Sequence, residues 1–256
     1  MLSWSERRKI VYLAGIAFFV LFAIIILAFF VFYQKPNCSD GKKNGDEIGV
    51  DCGGSCVEVC MENAIPIREN WVRAFEVKEG LYSVAVFLEN LNNNFYIESI
   101  PYSFKIYDSE NILVSEIKGE AYIPPGKNFA IFEGGINVGS REPSRVTFEW
   151  QGDFLWKKIG EKTGEVITRD ISRESGPNGS KVIVEIENPW LYNIDDLAGF
   201  VLVYNRSGNV IAVSKTVIDS IAGSSRADMV FSWPTPFSEE VGKVEVFHWY
   251  TVRKTF

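Results

Sequence analysis

Tyr82-Ser-Val-Ala-Val-Phe-Leu-Glu-Asn90 is written again, about a hundred residues further on, as Lys181-Val-Ile-Val-Glu-Ile-Glu-Asn188. Three more landmarks recur in the same order. Phe104-Lys-Ile-Tyr107-Asp108 answers to Val201-Leu-Val-Tyr204-Asn205, and Ile123-Pro-Pro-Gly126 to Ile221-Ala-Gly223. Val146-Thr-Phe-Glu-Trp150 answers to Val244-Glu-Val-Phe-His-Trp249. Recurrence in fixed order at a fixed spacing is the mark of a duplicated unit.

Each copy consists of short apolar runs broken by turn signals. Glu89-Asn90 and Glu187-Asn188-Pro189 stop one strand, while Asp108-Ser-Glu-Asn111 and Asn205-Arg-Ser-Gly208-Asn209 read as hairpin turns. No 3.6-residue period is sustained in either copy, so helices are not expected there. Phe104 and Ile106, like Val201 and Val203, alternate as inward residues of a strand do. The last strand carries apolar residues of both parities, Val244 and Val246 against Phe247 and Trp249, which calls for a bulge or for two covered faces. Strands at this interval predict two tandem antiparallel immunoglobulin-like β-sandwiches, at residues 65–150 and 165–256. Between them, residues 151–164 carry Phe154-Leu155-Trp156. Those residues either lie between the sandwiches or extend the first one.

Upstream of both copies, residues 10–33 carry no charge. A helix of that length reaches ~36 Å, enough for a ~30 Å hydrocarbon core. The run has no polar face, and Tyr12 and Tyr33 stand near its ends, where amphipathic rings favour the headgroup level. It is longer than a signal peptide's apolar region, and Phe29-Phe30-Val31-Phe32-Tyr33 makes a poor cleavage site. An uncleaved single-pass anchor is the expectation. Arg7-Arg8-Lys9 precede the run, so the positive-inside rule keeps residues 1–9 cytoplasmic and puts the rest outside the cytoplasm.

The net charge of −7 opposes nucleic-acid binding, which needs a basic surface. The single histidine, His248, sits inside a predicted strand, which makes a serine triad or a two-histidine metal site hard to build, and no phosphate-cradling glycine loop occurs. No enzyme and no cofactor is expected, with calcium possible.

All four cysteines, Cys38, Cys52, Cys56 and Cys60, fall within the neck at residues 34–64. In an oxidising compartment such a cluster reads as a pair of disulfides, whose connectivity the sequence does not choose. Zinc is the rival, although the spacing lacks tight Cys-x2-Cys knuckles. Gly41, Gly45, Gly49, Gly53 and Gly54 mark a chain of turns that need positive φ. Asp40, Asn44, Asp46 and Asp51 match calcium-loop offsets, but Lys42 stands where a ligand oxygen belongs. The alternative is a solvated, turn-rich acidic loop. Trp190 and Tyr192 follow Asn188 in a loop and read either as a plug for the sandwich end or as a surface for sugar or protein.

The string Asp40-Gly-x-x-Asn44-Gly-Asp-Glu-x-Gly-Val-Asp-Cys-Gly-Gly54 resembles a short cysteine-rich cassette of bacterial surface and secreted proteins. Phe104-x-Ile-Tyr107-Asp108 resembles the signature of FxLYD-type envelope sandwich domains, from which the second copy departs with Val201 and Asn205. These resemblances imply an extracytoplasmic interaction or scaffold module working with envelope or surface proteins. An adhesin for carbohydrate or another cell, and an ectodomain regulating a membrane enzyme, are the alternatives.

Overall fold

The computed structural model describes residues 4–32, 35–160 and 164–250. The chain divides into two compact units, Met1–Ser55 and Cys56–Phe256. Tyr33, expected at the outer end of the apolar run, lies outside the described residues, as do residues 161–163 of the expected linker and 251–256 of the second copy.

The first unit opens with α1 (Trp4–Phe32), which begins before the apolar run itself. Residues Arg8–Phe29 within it are long and apolar enough to cross a membrane, a property that a signal sequence shares. The helix is apolar on every side, and its described large side chains stand exposed. At its N-terminus the Arg8 guanidinium lies 3.7 Å over the Trp4 ring. After the helix the chain is a run of turns, with positive φ at Gly41, Gly45, Asp51, Gly53 and Gly54. Gly49, expected among these, instead bridges Cys52 in extended pairing. Gly54 is required sterically, because a Cβ there would stand 2.1 Å from the Asp46 carbonyl oxygen.

The second unit is antiparallel β after one short 3-10 turn at Met61–Asn63. β1 (Arg68–Lys78), β2 (Leu81–Glu89) and β5 (Asn128–Asn137) form one sheet in the order β1-β2-β5. β3 (Phe95–Tyr107), β4 (Leu113–Ile123) and β6 (Arg145–Trp150) form its mate in the order β4-β3-β6, with the short β7 (Lys157–Lys158) paired to the start of β3. Val84, Val86, Leu88 and Phe129 from one sheet meet Tyr102, Phe104 and Ile106 from the other in a single buried cluster.

The next six strands repeat that plan. β8 (Ile167–Gly176), β9 (Gly179–Glu187) and β12 (Arg226–Trp233) form one sheet, in the order β12-β9-β8. β10 (Ile194–Asn205), β11 (Val210–Ile221) and β13 (Val241–Trp249) form the other, in the order β11-β10-β13. Val182, Val184, Ile186 and Phe231 face Leu197, Val201 and Val203 across the second core.

A third core joins the sandwiches. Trp71, Phe75, Ala85, Phe87, Ala130 and Phe132, on the outer face of β1-β2-β5, pack against Phe200, Leu202, Val213 and Phe247 on the outer face of β11-β10-β13. The rings of Phe87 and Phe247 are 5.2 Å apart, and those of Phe132 and Phe200 6.5 Å. β2 and β10 are therefore covered on both faces, which is why Val84-Ala-Val86 and Phe200-Val-Leu-Val203 run apolar without alternation. The same packing settles the last strand. Val244 and Val246 enter the second core, and Phe247 and Trp249 enter the third, with regular pairing between Lys243 and Trp249.

The two remaining outer faces are charged. Lys105–Glu149 and Arg145 over Tyr107 cover β3 and β6, and Arg169–Glu187–Arg226 covers β8, β9 and β12. Opposite charges interleaved on a sheet face suit water and resist further stacking. The linker residues do not separate the sandwiches. Trp156 and Phe154 join the first core, β7 extends the first sandwich, and Leu155 points to solvent.

Candidate functional site

Among the described residues, the candidate surfaces are the cassette loop, the two sandwich ends and the cleft between the sandwiches. In the cassette, all four cysteines, Cys38, Cys52, Cys56 and Cys60, are disulfide-bonded. No thiolate is left to make a zinc site. The Asp51 carboxylate accepts the backbone N–H groups of Asp40 and Gly41, each at 2.9 Å. Asp40 accepts the Lys42 N–H at 2.9 Å and the Asn44 side-chain amide at 2.8 Å. Asp46 turns to the Ser55 hydroxyl at 2.7 Å. Asp40, Asn44 and Asp51 are thus brought together and Asp46 is aimed elsewhere. These bonds account for the acidic residues as pins of successive turns. Asn44 Oδ1 alone in this loop is a buried acceptor without a partner.

At one end of each sandwich a fully buried asparagine holds the loops. Asn90 donates to the carbonyls of Phe95 (3.1 Å) and Pro124 (2.8 Å), and its Oδ1 accepts the Asn92 N–H at 2.9 Å. Asn188 donates to the carbonyls of Tyr192 (2.8 Å) and Ala222 (3.1 Å), and its Oδ1 accepts the Trp190 N–H at 3.0 Å. The sequence marked these residues only as strand ends. Their role was visible in the offset, since asparagine can bond the backbone two residues on.

Trp190 lies across Gly164, where a Cβ would come within 1.8 Å of the indole, and its Nε1 donates to the Glu165 carbonyl at 3.2 Å. Its ring stacks on Tyr192 at 6.1 Å with 15° between planes. Trp190 thereby closes the end of its own sandwich, while Leu191, which the sequence did not single out, is 93% exposed.

At the opposite ends sit the hairpin residues of the signature string. Asp108 accepts the N–H groups of Glu110 (3.0 Å) and Ile112 (2.9 Å) and pairs with Arg141. The Ile112 bond, and then the Arg141 guanidinium, hold its carboxyl below the usual range against the opposing effect of burial. In the second copy Asn205 accepts the Asn209 N–H at 2.8 Å and donates to Glu239 at 2.8 Å. The change from Asp to Asn is matched by a change from an arginine to a glutamate in the facing loop. Asp108→Asn is therefore expected to lower the melting temperature, and Asp108→Asn with Arg141→Glu to recover most of the loss. Parallel thermal melts of the two variants check this.

The sandwiches meet along a cleft of about 370 Å³ lined by Tyr122, Pro124, Lys127, Glu165, His248 and Trp249. Lys127 bridges to Glu165 at 3.1 Å, tying the first sandwich to the second. Burial, with Tyr96 beside it, pushes the Tyr122 hydroxyl up to about 12. His248, half-buried, is held below its ordinary value of 6.5, by burial first and then by the Lys127 ammonium, with Glu165 opposing. The unfolded chain takes up a proton at His248 before the folded one does. Stability is therefore expected to be full above pH ~6.5 and to decline as the pH falls below it. His248→Gln should flatten that part of the profile, as melts from pH 8 to pH 5 would read.

No protein-family model matches the chain, and no curated protein matches it. Among solved structures, red sea bream transglutaminase is similar at 11% identity and a TM-score of 0.27, over 73% of this chain and 29% of that one. The chain spans less than a third of that protein. A likeness this distant carries no functional argument.

Proposed function

We propose that this chain is a single-pass membrane protein of the bacterial envelope, with its N-terminus cytoplasmic and its β unit displayed outside, acting as a non-enzymatic interaction scaffold. The observation that carries the reading is the third core. Two sandwiches joined through apolar sheet faces make one stiff body, which suits a fixed spacer or docking element better than a swinging tether. The all-round apolar helix with Arg8 and Lys9 at its inner end supports anchoring and orientation. The disulfides support an oxidising compartment. The cassette at residues 38–60 and the Phe104–Asp108 string add the likeness to bacterial surface proteins and to FxLYD-type sandwich domains, arranged as a tandem repeat.

The carbohydrate reading rests on the stacked Trp190–Tyr192 pair, with Tyr192 half-exposed. Because Trp190 is tied to Gly164 and Glu165, its removal is expected to loosen the sandwich end before it removes any sugar contact. Crosslinking in native membranes followed by purification of the full chain separates the readings. A scaffold brings down a stoichiometric membrane or envelope protein. Glycan-array binding that is lost in Tyr192→Ala, with no protein partner, would favour the adhesin.

A further inference from the structure

Among the described residues of the second unit, five large apolar side chains are more than half exposed: Val57, Met61, Leu155, Leu191 and Tyr192. They share one end of it. Lys158 N–H donates to the Val57 carbonyl and Val59 N–H to the Trp156 carbonyl, so residues 57–61 run beside 155–158. β7 pairs with Phe95 and Tyr96, and Ile159 N–H donates to the Asn94 carbonyl. Gly126 N–H reaches the Asn92 carbonyl, Lys127 reaches Glu165, and the Glu165 carbonyl receives Trp190 Nε1. That chain of contacts crosses the end of the unit at which its own chain begins, at Cys56. The opposite end carries the hairpins at Asp108 and Asn205.

The loop at Leu191 is pinned from both sides. Three backbone groups flanking Leu191 are bonded within the protein: Trp190 N–H to Asn188, the Trp190 carbonyl to Ser224 N–H at 2.7 Å, and the Tyr192 carbonyl to Asn188. Gly223 fits beneath it, where a Cβ would stand 2.4 Å from the Leu191 carbonyl oxygen. A loop already pinned gives up little conformational entropy on entering the interfacial layer, where headgroups and water still reach the backbone of Leu191 itself. An aliphatic tip flanked by indole and phenol matches the layering of a bilayer surface, with hydrocarbon inside and amphipathic rings at headgroup level. The charges at this end are of both signs, with Lys157–Glu98 and Lys127–Glu165 paired and Glu58 and Glu62 exposed, so no basic patch there selects anionic lipid.

We propose that this end of the second unit is a lipid-contacting surface that rests in the interfacial layer of a zwitterionic bilayer, with Leu191 its deepest side chain. The inference rests on the anchored reading above. It is tested with the full chain in phosphatidylcholine nanodiscs containing a phosphatidylcholine that carries a diazirine high on one acyl chain. After irradiation, labelled peptides are mapped by mass spectrometry. Label is expected in α1, in residues 57–61 and at Leu191–Tyr192, about tenfold above the Ile112–Leu113 peptide of the opposite end. Leu191→Asp, at a site too exposed to matter for folding, should cut the tip label about tenfold, the scale of one buried leucine, and leave the α1 label unchanged. Label in α1 with the tip no higher than the opposite end overturns the proposal alone. An unlabelled α1 overturns the anchored reading, and the proposal with it.

Discussion

Phe200→Ala is expected to lower the unfolding free energy by about 3–5 kcal/mol, although Phe200 points away from the core of its own sandwich. The residue is fully buried in the third core, facing Phe132 across the two outer sheet faces. An isolated second sandwich would leave it in water, and truncation would then cost little. Because it lies between layers, truncation opens a cavity that the strands around it fill only in part. Lys105→Ala, at an exposed ion pair on the first sandwich's outer face, is the matched control and should change stability by less than about 1 kcal/mol. Urea titrations of the full chain in micelles, followed by tryptophan fluorescence, read both. Equal small effects would mean that the sandwiches are not coupled.

That third core was only half legible in the sequence. Alternation at Phe104 and Ile106 identified the inward face of β3 correctly, and the turn residues placed both hairpins. What alternation does not tell is whether the other face of a strand meets water or protein. The signals were there in kind: β2 and β10 are continuous apolar runs, and β13 carries apolar residues of both parities. A continuous run means burial on both sides, yet it does not name the partner face. Phe154 and Trp156 looked like material for a contact between sandwiches and proved to belong to the first core. Apolar residues in a connecting segment report burial, not the direction in which they turn.

The asparagine clamps show a different limit. Asn188→Ala is expected to destabilise by about 3 kcal/mol, because it strands the Trp190 N–H and the carbonyls that the amide now serves. Asn188→Asp should be at least as damaging. A carboxylate keeps the acceptor for Trp190 but sets negative oxygens against the carbonyls of Tyr192 and Ala222. A merely space-filling residue would show the reverse order, with the near-isosteric aspartate the milder change. The sequence offered Asn90 and Asn188 at matching places but could not distinguish a strand terminator from a buried clamp. The difference lies in contacts with residues more than thirty positions away, at Pro124 and Ala222. For the same reason Leu191 escaped notice, since only the loop's pinning turns it outward.

In the cassette the turn-rich path was legible from glycine spacing, and the cysteines from clustering alone. Asp51 and Asp40 accept backbone N–H groups, so residues at calcium-loop offsets also serve here as pins of the turns. Aspartates bond nearby backbone N–H groups both in tight turns and in calcium loops, so offsets alone do not separate the two.

The functional reading stands on an uncleaved helix that carries the β unit outside the cytoplasm. A membrane-impermeant lysine reagent applied to intact cells, followed by mass spectrometry of the whole chain, tests it most directly. The account predicts a chain that retains α1 and bears label on lysines such as Lys118 and Lys215 without permeabilisation. Label on those lysines only after permeabilisation, or a mature chain that begins beyond α1, would contradict it.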